Sequence, residues 1–441
     1  MSSNFCTPTA AQARPARLAW APRWALLIAA FVALSGGRAA AAATARFGDV
    51  VTVPGNALAR FSGYRIDQLA LFACAATACR VIPSQIDERD AAGSWVLDQG
   101  PEPNADDPPG VLDDNDVLLF MAADAADRAA RAALPVGLPA LELVLTDPLD
   151  GATRWAYLVA FPTTAPRADA AYVQYDPASD RVRGRRVTLG FQHGVPGYLA
   201  LATDGTETNL LDRFKVRATA KFLWGLIRFS RSEDDITTQF VAYRQGPIRV
   251  IRRQRQWVRL GWGIHSPTFG SYTYFYSDGA ELPVSLYLNF PPTYFFGDIE
   301  IRAVLDFRDL RGWSVLVPGR PAFAVDGVLT PDKAALNQLP ATWFALLGPD
   351  ITLVQVFNVG ASLSNVRRRL LYHESPTKGD APEDTAGELP GIGYQLDRWE
   401  KVPAGAHQLQ SISYAVPRDI DVPGFLAARN APLRVGVQPM P

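Results

Sequence analysis

The stretch Phe240-Val241-Ala242-Tyr243-Arg244-Gln245-Gly246-Pro247-Ile248-Arg249-Val250-Ile251 decides the fold class. Its two ends are rich in β-branched and aromatic residues, and Gly246-Pro247 between them is a turn signal. Similar short runs recur along the chain at 50–53, 141–145, 272–276, 286–290 and 351–357. Because short strands separated by turns are typical of β-sandwiches, we predict an all-β protein.

The composition is that of a folded globular chain. Hydrophobic residues make up 48% and charged residues 20% of the 441 residues, which excludes a disordered, fibrous or disulfide-dense protein. The formal net charge is −1, so the chain lacks the long-range field that captures nucleic acid or anionic membranes from a distance. We therefore expect no nucleic-acid partner.

Residues 1–45 have the layout of a secretory signal peptide. Arginines precede an apolar run over 24–34, which is shorter than the roughly 20 residues of a membrane-spanning helix. Ala43-Thr44-Ala45 supplies small residues for cleavage after Ala45; an uncleaved anchor or a buried helix is the alternative. Cleavage leaves no transmembrane segment, and we predict a periplasmic or secreted protein.

Cys74 and Cys79 are the cysteines that remain after this cleavage. The apolar runs 69–72 and 81–82 beside them predict two short strands joined by a tight loop. A disulfide that closes this hairpin fits an oxidising compartment. A redox pair or half of a metal site is the alternative, although the usual spacing of those sites differs.

Two domains are predicted after the leader. Residues 46–186 form an N-terminal β-domain and residues 187–441 a large C-terminal two-sheet β-sandwich, sizes near the usual domain range. The boundary is placed at Arg181–Arg186, which is expected to be a solvated connection. The proline-rich tail after Pro417 is expected to run over the surface in extended conformation.

An acidic cluster precedes the apolar run 117–121. Asp113, Asp114 and Asp116 supply the hard oxygen ligands that calcium prefers. The spacing of an EF-hand is absent, and a solvated acidic loop is the alternative. Calcium is the one cofactor considered, and no organic cofactor is indicated.

Arginines and aromatic residues alternate along two neighbouring predicted strands. Because side chains alternate between the two faces of a strand, one face carries the candidate binding residues Arg253, Arg255 and Trp257, and one face of the next strand carries Tyr272, Tyr274 and Tyr276. Guanidinium groups pair with planar anions, and aromatic rings stack on sugars. The alternatives are ion pairs with neighbouring carboxylates for the arginines and core packing for the tyrosines.

His265 is the candidate acid/base group, because Asp278 and Glu281 are close to it in sequence. A structural histidine is the alternative. Local motifs of serine hydrolases, phosphate-binding loops, dinucleotide-binding folds and zinc proteases do not occur in the sequence.

Three segments carry a resemblance to known proteins: 81–88 (Val-Ile-Pro-Ser-Gln-Ile-Asp-Glu), 112–122 (Leu-Asp-Asp-Asn-Asp-Val-Leu-Leu-Phe-Met-Ala) and 246–251 (Gly-Pro-Ile-Arg-Val-Ile). They resemble a loose group of uncharacterised exported bacterial β-proteins, some of which are similar to the galactose-mutarotase-like supersandwich of sugar-active proteins. The resemblance implies a small β-domain before a larger sandwich and a connection with carbohydrate. It implies no catalytic residue, since the paired histidines and glutamate of mutarotases have no counterpart in this sequence.

Three functions follow as hypotheses. The first is binding of carbohydrate or another envelope polymer at the arginine and tyrosine strands. The second is a sugar-active lyase or epimerase in which His265 works with an arginine that stabilises a developing enolate. The third is a non-catalytic scaffold of the cell envelope. A flat face of aromatic and arginine side chains favours the first hypothesis. A concave cleft in which His265, an arginine and tyrosines converge favours the second, and burial of both strands favours the third.

Overall fold

Antiparallel strands dominate the computed structural model, which describes residues 46–75, 78–130, 133–202, 208–222, 225–261, 263–375 and 389–440. The all-β prediction is confirmed. The predicted signal peptide, residues 1–45, lies outside the described residues.

The strands up to residue 201 are, in chain order, β1 (Val50–Pro54), β2 (Leu69–Ala75), β3 (Ala78–Val81), β4 (Ser84–Asp87), β5 (Val117–Met121), β6 (Ala140–Thr146), β7 (Thr153–Ala160), β8 (Gln174–Asp176), β9 (Arg181–Arg183), β10 (Val187–Gln192) and β11 (Val195–Leu201).

The strands that follow are β12 (Leu211–Phe222), β13 (Ile227–Ser232), β14 (Ile236–Gln245), β15 (Val250–Gly261), β16 (Ile264–His265), β17 (Phe269–Tyr276), β18 (Gly279–Leu288), β19 (Phe296–Phe307), β20 (Ser314–Leu316), β21 (Phe323–Ala324), β22 (Trp343–Leu347), β23 (Ile351–Val359), β24 (Arg367–His373), β25 (Gly391–Asp397), β26 (Gly405–Pro417) and β27 (Arg434–Pro439).

Helical segments are short. The described residues include two α-helices, α1 (Pro331–Ala334) and α2 (Val422–Asn430), which each have proline in the first turn and an N-cap side chain, Thr330 and Asp421 respectively. The 3₁₀ turns are Gly55–Phe61, Ile66–Gln68, Ala122–Asp124, Glu233–Asp235, Pro292–Tyr294, Ala335–Gln338, Ala361–Leu363 and Trp399–Lys401. Within the described part of the chain, no helix has the length and apolarity needed to cross a membrane.

Two sheets form the N-terminal sandwich. The small sheet has the order β1-β5-β4, and the terminal sheet has the order β27-β6-β7-β2-β3. Their inner faces supply one apolar core, which includes Val51, Leu71, Phe120, Leu143 and Leu158. Strands that bury one face against another sheet in this way form a sandwich.

The second sandwich is built on a large sheet of ten strands. Its order is β14-β15-β17-β18-β26-β23-β22-β20-β21, and β16 pairs with β15. The lateral sheet, β13-β12-β19-β25-β24, packs against it around Phe307, Phe344, Leu370 and Ile392. This arrangement gives the two-sheet sandwich that the sequence predicts for the C-terminal part.

A four-stranded linking sheet, β11-β10-β9-β8, spans the predicted domain boundary. Arg181–Arg186, expected to be a solvated connection, contains β9, because Val182 is buried against Val250 and Phe275 of the large sheet. All the described residues belong to one compact unit. The division at residue 186 stays a prediction.

The tail after Pro417 is not extended throughout. It forms α2, which buries Val422 and Phe425 on the large sheet, and then β27, which pairs antiparallel with β6. Val435 and Val437 alternate with polar or small neighbours and pack on the core of the N-terminal sandwich. The C-terminal segment therefore supplies an edge strand to the N-terminal sandwich.

The predicted Cys74–Cys79 disulfide is confirmed, with an S–S distance of 2.04 Å. The two cysteines face each other across β2 and β3. The bond therefore links the edge strand β3 of the terminal sheet to its neighbour β2.

Candidate functional site

One surface of the large sheet brings together the six predicted binding residues. Antiparallel pairing of β15 with β17 sets Arg253 opposite Tyr272 and Ile251 opposite Tyr274. Alternation along each strand then places the six on one side of the sheet. We call this set the aromatic–arginine face: Arg253, Arg255, Trp257, Tyr272, Tyr274 and Tyr276.

The tyrosine rings of this face are ordered. The rings of Tyr272 and Tyr274 stack with centroids 6.3 Å apart and planes within 4° of parallel. The Arg253 guanidinium lies 5.6 Å from the Tyr272 ring centre. A cation over an aromatic ring is attracted by the electrons of the ring face, so Arg253 and Tyr272 hold each other in position.

Residues of the N-terminal part cover one end of the face. Trp95 Nε1 donates to the Tyr274 hydroxyl at 2.8 Å, and Arg89 stacks 3.6 Å from the Trp95 ring centre. Arg255 forms an ion pair with Glu102, the shorter N–O distance being 2.8 Å. Arg255 therefore forms the ion pair with a carboxylate that was the alternative to ligand binding. Arg253, Trp257 and Tyr272 remain partly exposed.

Polar side chains extend the face onto the next two strands. Ser285 of β18 lies opposite Gln408 of β26, and both are exposed; Gln410 lies opposite Pro283 in the same register. Amide and hydroxyl groups both donate and accept hydrogen bonds. Gln408 and Gln410 could not be placed on this face from the sequence, because β26 follows β17 by more than a hundred positions.

A pocket of about 260 Å³ adjoins the Tyr276 end of the face, between β1 and the strands β18 and β26. Its polar lining consists of Thr52, Tyr276, Asp278, Glu281, Tyr414 and Arg429. Glu281 lies opposite Tyr274 in the register of β17 and β18. The pocket and the aromatic–arginine face are therefore continuous on one side of the large sheet.

Burial changes the acidity of the pocket groups. It raises the pKa of the Glu281 carboxyl, against the opposing effect of Arg429 and Arg249. Burial also raises the pKa of Asp278, although Ser277 donates to its Oδ2 at 2.6 Å. The pKa of Tyr414 is raised to about 12 by burial. Buried carboxyls with a raised pKa are candidates for proton transfer.

His265 lies away from this pocket. His265 is exposed on β16 and pairs with Arg259 of β15. Arg259 lies eight residues along β15 from Ile251, and Ile251 is opposite Tyr274. Tyr274 is in turn opposite Glu281. Because a strand rises about 3.3 Å per residue, His265 lies roughly 25 Å along the sheet from Glu281. The structure thus brings Asp278 and Glu281 to one pocket but does not bring His265 to it.

Carboxylates of the acidic cluster accept hydrogen bonds from backbone N–H groups. Both oxygens of the fully buried Asp116 accept backbone N–H groups at 3.0 Å, from Arg89 and Asp113. Asp113 Oδ1 accepts the Asn115 N–H at 2.9 Å. Among the described residues, no three histidine, cysteine or acidic side chains are grouped to hold a metal ion. Calcium at Asp113, Asp114 and Asp116 remains a prediction that these contacts do not support.

Comparison with protein-family models and with curated protein sequences finds no match. Among solved structures, the chain is similar to a glycosyl hydrolase family 38 protein from Enterococcus faecalis (TM-score 0.46, 8% identity, 88% of this chain and 46% of that one). It is also similar to an alpha-mannosidase from Enterococcus faecalis (TM-score 0.47, 9% identity, 88% and 44%). A third structure, of HI1317, gives a TM-score of 0.29 at 9% identity, over 55% of this chain and 98% of that one. The chain spans less than half the length of the first two proteins, and function is inferred from its own residues.

Proposed function

We propose that the protein is an exported carbohydrate-binding protein and that the aromatic–arginine face is its binding surface. The observation that carries the proposal is the parallel pair Tyr272 and Tyr274 with Arg253 beside it, held on a rigid sheet. Flat aromatic rings pack against the C–H faces of sugar rings, and guanidinium groups donate to hydroxyls and carboxylates.

The partial exposure of the face supports binding over a purely structural role. Tyr272, Arg253 and Trp257 are all half-buried, whereas a scaffold strand packed on both sides would be buried. Trp95 contacts Tyr274, and Glu102 pairs with Arg255. The sugar-binding part of the surface is therefore Arg253, Trp257 and Tyr272, with Gln408 and Gln410 as hydrogen-bonding neighbours.

A glycan array of neutral, uronic-acid and sulfated oligosaccharides tests the proposal, followed by calorimetric titration of the best binder. We expect Tyr272→Ala to weaken binding at least tenfold and Arg253→Ala to weaken binding of the acidic sugars more than of the neutral ones. Tyr294→Ala is the matched control, because Tyr294 is 69% exposed and lies outside the face. Absence of any glycan signal from the wild type, or equal binding by Tyr272→Ala, contradicts the proposal.

A second candidate function is acid–base chemistry on a sugar in the pocket. The specific observation is Glu281, whose burial favours the protonated carboxyl beside the Tyr276 and Tyr414 hydroxyls. This assigns to Glu281 the role that sequence reasoning gave to His265. Proton NMR of reducing sugars and acidic polysaccharides incubated with the protein would detect epimerisation or cleavage. Glu281→Gln should abolish the reaction and His265→Ala should not; an inactive wild type excludes this candidate for the sugars tested.

A further inference from the structure

Large apolar side chains are exposed at three hairpin ends of the C-terminal sandwich. Leu226 is 83% exposed between β12 and β13, and Ile264 is 58% exposed after β15. The connection from β18 to β19 exposes Phe290 (48%), Tyr294 (69%) and Phe295 (47%). Isolated exposed apolar residues need no explanation, but several at neighbouring loop ends mark an interaction site.

The three hairpin ends are neighbours in space. Phe296, at the start of β19, packs its ring 5.3 Å from Phe222 and 6.1 Å from Phe229, on either side of the β12–β13 turn. From β13, Arg231 Nε donates to the Arg259 carbonyl at 2.7 Å, and its Nη2 donates to the Leu260 carbonyl. The hairpins thus lie together at one end of the C-terminal sandwich. We call it the apolar end: Leu226, Ile227, Ile264, Phe290, Tyr294 and Phe295.

Positive charge lies directly behind the apolar end. Arg228 is exposed and follows Ile227 in the same strand. Arg231 donates to neutral carbonyl acceptors and stacks 4.1 Å from the Phe229 ring centre. The pocket that Arg228 and Arg231 line is net basic, with five basic side chains (Arg217, Lys221, Arg228, Arg231 and Arg302) against three acidic ones (Asp235, Asp298 and Glu300). Apolar side chains at the hairpin ends could reach the acyl chains of a lipid surface, while the arginines behind them contact its anionic headgroups.

We propose that the apolar end docks on a lipid bilayer that contains anionic headgroups. Separate hairpin ends, each with one to three exposed apolar side chains among the residues that the structure describes, can enter between headgroups independently. A protein partner or a second copy needs instead a continuous, closely fitted surface. Tyrosine and phenylalanine are suited to the boundary between headgroups and acyl chains. Since the net charge of the chain is −1, attraction acts at contact and not over a long range.

This inference is independent of the carbohydrate proposal, because the aromatic–arginine face and the apolar end share no residue. A protein that binds no glycan could still dock on membranes, and a protein that does not dock on membranes could still bind glycans. The two experiments therefore give separate answers.

Flotation with sonicated vesicles tests the docking proposal. We expect the wild-type protein to float with vesicles of phosphatidylcholine and phosphatidylglycerol, and at least fivefold less with phosphatidylcholine alone. The double variant Leu226→Ser/Phe295→Ser should lose at least tenfold in partitioning, and Arg228→Glu should lose binding to the anionic vesicles.

Leu149→Ser is the matched control, because Leu149 is 55% exposed on the turn between β6 and β7 of the N-terminal sandwich. It should bind vesicles as the wild type does, and unchanged thermal unfolding would show that the variants fold. Failure of the wild type to float with anionic vesicles overturns the proposal. So does concentration-dependent self-association, measured by sedimentation velocity, that the double variant abolishes without any change in flotation.

Discussion

Arg249 Nε and Nη2 both donate to one oxygen of Asp87, Oδ2, at 2.9 and 2.6 Å. Asp87 ends β4 of the small sheet and is fully buried, and Arg249 precedes β15 of the large sheet. Arg244 Nε approaches the other oxygen, Oδ1, at 3.2 Å. This ion pair joins the N-terminal sandwich to the strand that carries the aromatic–arginine face.

Removal of the Asp87 carboxylate should be strongly destabilising. Asp87→Ala leaves the buried Arg249 without its counter-charge, and breaking one side of a buried pair costs about 3–5 kcal/mol. Urea unfolding followed by tryptophan fluorescence measures the change. Asp67→Ala, which breaks the exposed pair with Arg65, should leave the midpoint within experimental error. Equal effects of the two substitutions would show that the buried pair has no special role.

Gly246 should not tolerate a side chain. A Cβ on this residue would come within 2.1 Å of the Gln85 side chain. Gln85 cannot move freely, because its Oε1 accepts the N–H groups of Ile248 and Arg249 at 3.0 and 2.9 Å. Gly246→Ala should lower the free energy of unfolding by about 1–3 kcal/mol, as overpacking does. Gly297→Ala is the control, since no atom lies within 4 Å of its added Cβ; an unchanged Gly246→Ala would refute this packing argument.

Asp116 should make stability depend on pH. Burial raises its pKa to about 6 from the usual 3.8, more than the two backbone N–H bonds lower it. Because the folded state holds this proton more tightly than the unfolded state, the group favours folding below about pH 4, and that contribution is lost as the pH rises through 6.

Comparing the pH dependence of urea unfolding between the wild type and Asp116→Asn isolates this effect. The non-titrating variant should show a smaller fall in stability between pH 4 and 7. Asp114→Asn, two residues before it and exposed, should keep the wild-type dependence. Superimposable profiles for all three proteins would mean that Asp116 does not titrate in this range.

Reduction of Cys74–Cys79 should have a modest effect. The bond closes a short loop, and the entropy that such a loop removes from the unfolded chain corresponds to about 2 kcal/mol. Unfolding of the wild type with and without reductant measures the loss. The double variant Cys74→Ala/Cys79→Ala should not respond to reductant, and a wild type equally stable in both conditions would assign the bond no stabilising role.

The aromatic–arginine face is the part of the site that sequence reasoning predicts well. Arg253 and Tyr272 lie on strands whose two-residue alternation is visible locally, so their shared face follows from strand geometry. The disulfide likewise depends on residues five positions apart. Both features are local in sequence, which is why spacing alone is sufficient.

The long-range pairings were not predictable in this way. Asp87 and Arg249 are 162 positions apart, and a single sequence carries no signal that joins them. The same holds for the pocket, where β1 meets β18 and β26. The error at β9 had a different cause: Val182 between Arg181 and Arg183 is an alternating pattern only three residues long, and the charges of its neighbours concealed it.

The pairing of β27 with β6 has a consequence for the order in which the molecule can be completed. Gln438 on β27 donates to Glu142 on β6 at 2.7 Å across 296 positions of chain. A polypeptide that emerges N-terminus first therefore holds the edge of β6 open until residues 434–439 arrive. Unpaired strand edges are templates for association between chains. Newly made molecules thus expose this edge of the N-terminal sandwich to aggregation until residues 434–439 have been synthesised.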